Sequence, residues 1–285
     1  MVNSDRFYSA RPKTWCPGCG NHLILEVLKE TLTRLEYQPR EVLLVSGIGQ
    51  AAKTSQYIRT NTFNVLHGRT LPVATGVKLV NPDLRVIAVG GDGDGYAEGG
   101  NHIIHAARRN VEVTYLIHNN QIYGLTKGQL SPTTDLGSPT SSYHNPNGTR
   151  PLNPLRFLLG VGASFVARGF AGHQEQLGRI LKQALQHRGF ACIDILQPCV
   201  VFNKVNTFKW YRERVYDINK AGHDPEDLAG AFRLAGEWGD RIGTGIFYAE
   251  TRETLNDALL GREARPLVQR VPRVQDVAPL LQEYL

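Results

Sequence analysis

The sequence predicts an α/β domain, a mostly parallel sheet with helices on both faces, followed by a C-terminal extension. Three observations carry that reading. Short β-branched apolar runs stop at glycine or polar residues, amphipathic stretches of helical period lie between them, and the polar residues cluster where the runs stop. In such sheets ligands bind at the carboxyl ends of the strands.

Taken in order, residues 21–35 place Ile24, Leu28, Leu32 and Leu35 at helical spacing with charges between them, an amphipathic helix. Residues 42–46 are a buried strand by length and branching, and 85–89 (RVIAV) and 111–117 (VEVTYLI) repeat the pattern. Between the last two, residues 96–109 offer Ile103, Ile104 and Ala107 to a sheet and Arg108 and Arg109 to water, which completes a β-α-β unit. Residues 163–167, 175–186 and 192–196 then read as strand, helix and strand. Residues 127–154, KGQLSPTTDLGSPTSSYHNPNGTRPLNP, are too polar for a core element, and a loop that long inside a compact domain is usually functional or mobile. The expected division is a ligand-binding domain over 1–200 and an extension over 201–285, with short helices at 227–236 and 250–260, packing on that domain, on a partner subunit, or on both.

Composition bounds the function classes. Hydrophobic residues at 41% and charged residues at 20% suit a folded globular chain rather than a disordered one. No run approaches the ~18 apolar residues of a membrane helix, and the first residues lack the apolar stretch of a secretory signal, so a cytoplasmic protein is expected. Four cysteines are too few for a disulfide scaffold, and Cys16 and Cys19 in C-x-x-C spacing point to metal or redox use. The net charge of +6 is spread along the chain, which favours a solvated surface over a nucleic-acid stripe.

The chemistry gathers at two strand ends. Gly91-Asp92-Gly93 follows RVIAV, and 25 residues (94–118) separate it from Asn119-Asn120, which follows VEVTYLI. A parallel β-α-β unit brings both motifs to one sheet edge. There Asp92, the Asn120 amide oxygen and a nearby backbone carbonyl are hard oxygen ligands suited to Mg²⁺, whose remaining positions suit a diphosphate. Glycine lets the backbone approach phosphate and frees amides at the helix start. Singly, each motif reads equally as a tight turn; the coupled spacing favours the joint site.

That spacing resembles the thiamine diphosphate motif. Six blocks in register, WCPGCGNH, VSGIG, LHGRTLPVATGVKLVNP, GGDGDGYAEGGNHIIHAARRN, NNQIYGLTKGQLSPTT and QPCVVFN, resemble the beta subunits of 2-oxoacid:ferredoxin oxidoreductases, in particular the 2-oxoglutarate/2-oxoacid type. The likeness covers most of residues 8–215 and continues weakly into GTGIFYAE. It implies a thiamine diphosphate-binding fold in which Asp92, Asn120 and the Ile122 carbonyl hold Mg²⁺, while Asp94 is a hydrogen-bonding or turn residue. Gly91, Gly93, Gly124, Leu125 and Thr126 join them in the cofactor site. The implied reaction is coenzyme A-dependent oxidative decarboxylation of a 2-oxoacid, 2-oxoglutarate first and pyruvate next, the hard chemistry being the cofactor's. The implied partners are an alpha or fused gamma-alpha subunit and ferredoxin, in a dimer of heterodimers, with no nucleic acid and no membrane. The glutamate that acts on the aminopyrimidine belongs to the partner, so this chain alone is expected to be inactive. Lys53 and Lys127 border the site and are candidates for pairing with a substrate carboxylate, against solvated lysines; His67 either contacts the cofactor or is structural.

The resemblance also implies a [4Fe-4S] cluster on four cysteines, two from CPGC, one from GIGC and one from PC. Cys16, Cys19 and Cys199 stand at three of these places, and Gln50 stands at the fourth. An amide oxygen holds iron less well than a thiolate. Three routes stay open: three thiolates with an unusual fourth ligand, a damaged or absent cluster, or a mutation introduced deliberately. Cys192, in the strand-like ACIDIL, is by default a buried apolar residue and only a remote substitute. Glu98 is a second departure, expected in the first turn of a helix. Two rival functions follow: a non-redox thiamine diphosphate-dependent decarboxylase subunit, which Gln50 favours and the three cysteines oppose, and a nucleic-acid-binding zinc ribbon, which lacks a good second cysteine pair.

Overall fold

Eight strands form one sheet in a computed structural model that describes residues 5–139, 145–261, 266–269 and 282. Parts of the long loop (140–144) and of the C-terminal extension (262–265, 270–281, 283–285) lie outside the described residues. Strands β1 (Val42–Ser46), β2 (Asn61–Asn64), β3 (Arg85–Gly91) and β4 (Val113–Asn119) are followed by a small hairpin, β5 (Ile122–Tyr123) with β6 (Gln129–Leu130). Then come β7 (Phe165–Phe170), β8 (Phe190–Leu196), β9 (Val215–Asp217) and β10 (Ile242–Ala249). The sheet order is β2-β1-β3-β4-β8-β7-β10-β9, and every pair is parallel except β10 with β7.

The apolar runs are continuous because both faces are covered, and alternate side chains still part to opposite sides. Leu44, Ile87, Val89, Leu116 and Ile193 meet α1 (Gly20–Arg34) on one face. On the other, Leu43, Val45, Val86, Ala88, Tyr115 and Ile117 meet α2 (Thr70–Val80), α3 (Gly100–Arg108) and α4 (Pro154–Gly160). Helix α5 (Gln174–Gln186) lies beside α1, burying Leu177, Ile180 and Leu181. The short helices α6 (Phe208–Arg212), α7 (Leu228–Leu234) and α8 (Leu255–Leu260) complete the coat.

Several boundaries differ from the sequence reading, each for a local reason. Residues 163–164 precede β7, and β10, read only as part of an extension, is a strand of the main sheet whose bulge between Ile246 and Tyr248 breaks its alternation. The expected helix over 96–109 is two pieces: a π-helical turn at Gly93–Glu98, then α3. Glu98 therefore closes the π turn, exposed, instead of opening a helix. The helix expected over 250–260 begins only at Leu255, behind a capping box of Thr254 and Asp257.

Because β1, β3, β4 and β8 are parallel, their carboxyl ends open on one edge. That edge carries Gly47 to Gln50, Asp92 to Asp94, Asn119-Asn120 and Gln197 to Cys199 in turn.

Candidate active site

Asp92 leaves β3 directly beside the end of β4, since Gly91 pairs with His118. Its side chain is 2% exposed. Ser131 and Thr133 each donate a hydroxyl to Oδ2 at 2.6 Å. Thr133 Oγ1 also lies 2.9 Å from Asn119 Oδ1, so one hydroxyl joins the two strand ends. Burial pushes the Asp92 carboxyl up to about 6, against the lowering effect of the two hydroxyls. Among the described residues no cation pairs with it. A buried carboxylate without a counter-charge is costly, so the site suits a bound divalent ion.

Asn120 sits one residue past β4 and turns toward the other half of the edge. Its Oδ1 accepts the Ile122 N–H at 3.0 Å, and its Nδ2 donates to Gln197 Oε1 at 3.3 Å. The second bond fixes which end of the amide is oxygen. The donor set fits Mg²⁺ by chemistry: a carboxylate, an amide oxygen and the main chain at Ile122, all hard. Asn119, rather than Asn120, is the asparagine tied to Asp92 through Thr133.

Asp94 holds the surrounding loops. Its Oδ1 accepts main-chain N–H groups from Ile48 at 3.0 Å and Gly68 at 2.9 Å, and its Oδ2 lies 3.4 Å from Thr70 Oγ1. Burial raises its pKa, opposed by those amides. His67 Nδ1 stands 3.5 Å from Asp94 Oδ1, with its ring 6.2 Å from that of Tyr123. A Cβ at Gly93 would fall 2.3 Å from the Tyr123 ring, so any larger residue there forces that ring to shift. At Gly91 a Cβ would meet only the His118 carbonyl, at 3.9 Å. Gly124 lies near Gln50 and Asn120, while Leu125, Thr126 and Lys127 are exposed, Lys127 with φ +76°. Lys53 Nζ donates to Thr14 Oγ1 at 3.2 Å.

Beneath the edge lies a buried group that sequence reasoning missed. Arg168 on β7 is opposite Asp194 on β8, and Nε meets Oδ2 at 3.2 Å. Asp194 Oδ1 accepts from Asn119 Nδ2 at 3.0 Å and the Tyr96 hydroxyl at 3.2 Å. Ser131 and Thr133 were also missed as single residues, although the polar loop that carries them was marked. His118, sealed in the core, is pushed down to about 3 by burial, with Nδ1 2.8 Å from Asn21 Oδ1.

The three cysteines meet beside Asn120. Cys16-Pro17-Gly18-Cys19 is a turn closed by the Cys19 N–H to the Cys16 carbonyl at 3.1 Å, with φ +78° at Gly18, where glycine avoids strain. Proline and glycine thus set the loop, and Cys19 opens α1. Cys16, Cys19, Cys199 and Gln50 line one pocket with Trp15 and Asn120. Among the described residues no three His, Cys, Asp or Glu side chains converge as on a single ion, whereas a cluster takes its ligands spread around it. Burial pushes the Cys19 thiol up to about 11. Gln197 Nε2 and the Phe202 N–H point at Cys19 and Cys199 Sγ, each at 3.5 Å. Cys192 is fully buried mid-strand, paired with Tyr115 and Val166, and stands in the opposite-face core instead of this pocket.

The order of these parts along the chain matches known proteins. A family model described as "Thiamine pyrophosphate enzyme, C-terminal TPP binding domain" matches residues 46–195, and a second, for the C-terminal part of the pyruvate ferredoxin oxidoreductase beta subunit, matches 199–262. The beta subunit of 2-oxoacid:ferredoxin oxidoreductase 2 from Aeropyrum pernix is 43% identical over 257 residues, 86% of this chain and 83% of that one. This chain belongs to the beta subunits of the 2-oxoacid:ferredoxin oxidoreductases. The corresponding protein from Saccharolobus solfataricus is 41% identical over 277 residues, 93% of this chain and 88% of its own. A solved 2-oxoglutarate:ferredoxin oxidoreductase from Magnetococcus marinus, described with 2-oxoglutarate, coenzyme A and succinyl-CoA bound, superposes with a TM-score of 0.87 at 38% identity, covering 91% of this chain and 89% of that one. The family's thiamine diphosphate-dependent oxidoreductase chemistry replaces the zinc-ribbon alternative, and among the described residues no helix is long and apolar enough to cross a membrane.

Proposed function

We propose that this chain is the cofactor-holding subunit of an oxidoreductase that decarboxylates a 2-oxoacid, 2-oxoglutarate in the first place, and passes electrons through an iron-sulfur cluster to ferredoxin. The observation that carries the reading is the single sheet edge where Asp92, Asn120 and the three-cysteine pocket follow one another. Thiamine diphosphate, when bound, supplies the nucleophile and the electron sink for decarboxylation. Asp92 and Asn120, with the Ile122 carbonyl, hold its Mg²⁺; Ser131 and Thr133 orient Asp92 by donating to one carboxylate oxygen. Asp94 fixes the loops at Ile48 and Gly68 by gathering their amides, which shapes the wall around the diphosphate. Cys16, Cys19 and Cys199 hold the cluster, with N–H groups from Gln197 and Phe202 on two sulfurs.

The name beta subunit implies an alpha subunit, and the working assembly is a dimer of such heterodimers in the cytoplasm. The preference for 2-oxoglutarate rests on the ligands named for the solved relative. Co-expression with the alpha subunit, anaerobic purification and counting of thiamine diphosphate, Mg²⁺, iron and sulfide test the reading. Coenzyme A-dependent viologen reduction by 2-oxoglutarate, faster than by pyruvate, is expected. Full decarboxylation without iron and without viologen reduction would favour a non-redox decarboxylase instead.

A further inference from the structure

The cysteine pocket has a fourth wall that its thiols do not supply. Gln50 reaches it from the loop after β1, and its main-chain carbonyl is fastened to the indole N–H of Trp15 at 2.8 Å, one residue before Cys16. Gln50 begins the short 3-10 helix at Ala51–Gln56, yet its side chain caps nothing. Its Oε1 is buried and has no hydrogen-bond partner. A buried acceptor left unmatched loses the hydrogen bonds that water would give it and is destabilising. The neighbouring amide donors are committed elsewhere: Gln197 Nε2 to Cys19 Sγ and the Pro198 carbonyl, and Asn120 Nδ2 to Gln197. Within the pocket's wall Oε1 is thus an acceptor that no donor of the chain satisfies.

We propose that Gln50 Oε1 is the fourth protein ligand of the cluster, holding one iron corner while Cys16, Cys19 and Cys199 hold three. The inference rests on the cluster reading above and adds to it an unlike corner. A neutral amide oxygen is a hard donor, and the thiolates are soft and charged, so the iron at Gln50 is bound most weakly. Replacing a thiolate by a neutral group also makes the whole site less negative, which raises its reduction potential. Oxidation then has a defined outcome. When ferricyanide takes one electron from [4Fe-4S]²⁺, three ferric ions and one ferrous ion remain. The Gln50 oxygen–iron bond breaks, one Fe²⁺ leaves, and [3Fe-4S]⁺ stays on the three thiolates, with charge conserved. Ferricyanide becomes ferrocyanide.

The test uses the complex with its alpha subunit, prepared anaerobically as wild type, Gln50→Cys and Gln50→Ala. Each is treated with ferricyanide, and iron released to a ferrous chelator and the EPR spectrum are followed. Wild type is expected to lose one iron per cluster and to gain the signal of a three-iron cluster. Gln50→Cys is expected to keep all its iron and to show a lower potential, and Gln50→Ala to lose the corner iron before any oxidant is added. Equal retention by wild type and Gln50→Cys would overturn the inference, as would identical behaviour of wild type and Gln50→Ala. Iron in Gln50→Cys but none in wild type would overturn the ligand role while leaving the cysteine pocket as a cluster site. Absence of iron from all three, with thiamine diphosphate bound, would remove the cluster reading itself.

Discussion

Asn120 Nδ2 donates to Gln197 Oε1 across 3.3 Å, and the same Gln197 gives its own amide N–H to Cys19 Sγ at 3.5 Å. One side chain thus spans the space between the β4 tip and the cysteine pocket. It is packed in place, since a Cβ on Gly20 would fall 2.9 Å from Gln197 Cγ. Gln197→Ala frees the Asn120 amide to rotate and removes an N–H from sulfur. Groups that orient metal ligands typically contribute 10–100-fold in affinity, so thiamine diphosphate with Mg²⁺ is expected to bind on the order of tenfold more weakly. Loss of the N–H···S bond is expected to lower the cluster potential in the same variant. Calorimetry and a redox titration on one preparation check both effects, and an unchanged affinity would show that Asn120 needs no such support.

Asp92→Asn separates ion binding from folding. The amide oxygen still accepts from Ser131 and Thr133, but the charge that an ion would neutralise is gone. Because burial, helped by the nearby Asp194 charge, pushes the carboxyl up to about 6, the charged form works against the fold near neutral pH. The ion-free variant is therefore expected to melt no lower than wild type, and Mg²⁺-dependent binding of thiamine diphosphate is expected to be lost. A large drop in melting temperature would instead make Asp92 a structural residue.

The sequence made β3, the following helix and β4 legible because both faces of those strands are buried and their runs are uniformly apolar. Parallel pairing then puts Asp92 and Asn119 on neighbouring strand ends, joined through Thr133. Ser131 and Thr133 were hidden because a polar loop has no period from which to read which hydroxyls turn inward. Arg168 was hidden for another reason. Within FVARGF it looks like an exposed cation, and only the placement of β7 beside β8 puts it against Asp194. Gln50 could be located by motif, but its unmatched oxygen depends on which donors Gln197 and Asn120 had already used.

Arg168 and Asp194 form a pair with no solvent to relieve either charge, at 1% and 0% side-chain exposure. Burial pushes the Asp194 carboxyl up, and the Arg168 charge acts against that rise. The guanidinium also lies over Trp238, 5.3 Å from the ring centre, and Phe247, at 5.9 Å. Removing one partner from such a pair typically costs 3–5 kcal/mol, so Arg168→Leu is expected to lose about that much in urea unfolding. The double variant Arg168→Leu with Asp194→Leu is expected to recover most of the loss, since it leaves no lone charge. A double variant as unstable as the single one would point to the aromatic packing instead.

His187 sets a pH dependence that can be read apart from the cofactor site. Its Nε2 lies 2.8 Å from Ser164 Oγ, and burial is the largest influence on the ring, lowering its pKa. Arg252 acts in the same direction, while Glu112 and Glu250 oppose it. In the unfolded chain the histidine takes up a proton near its ordinary value of about 6.5, whereas the folded protein resists until lower pH. The unfolded state then binds more protons, so this contribution to stability is whole above about 6.5 and falls as the pH drops below it. His118, lowered to about 3, adds a background of the same sign. Urea midpoints measured from about pH 7.5 to 5 are expected to fall less steeply for His187→Gln than for wild type. Parallel curves would mean that His187 takes up its proton as readily in the fold as in the unfolded chain, Glu112 and Glu250 cancelling burial.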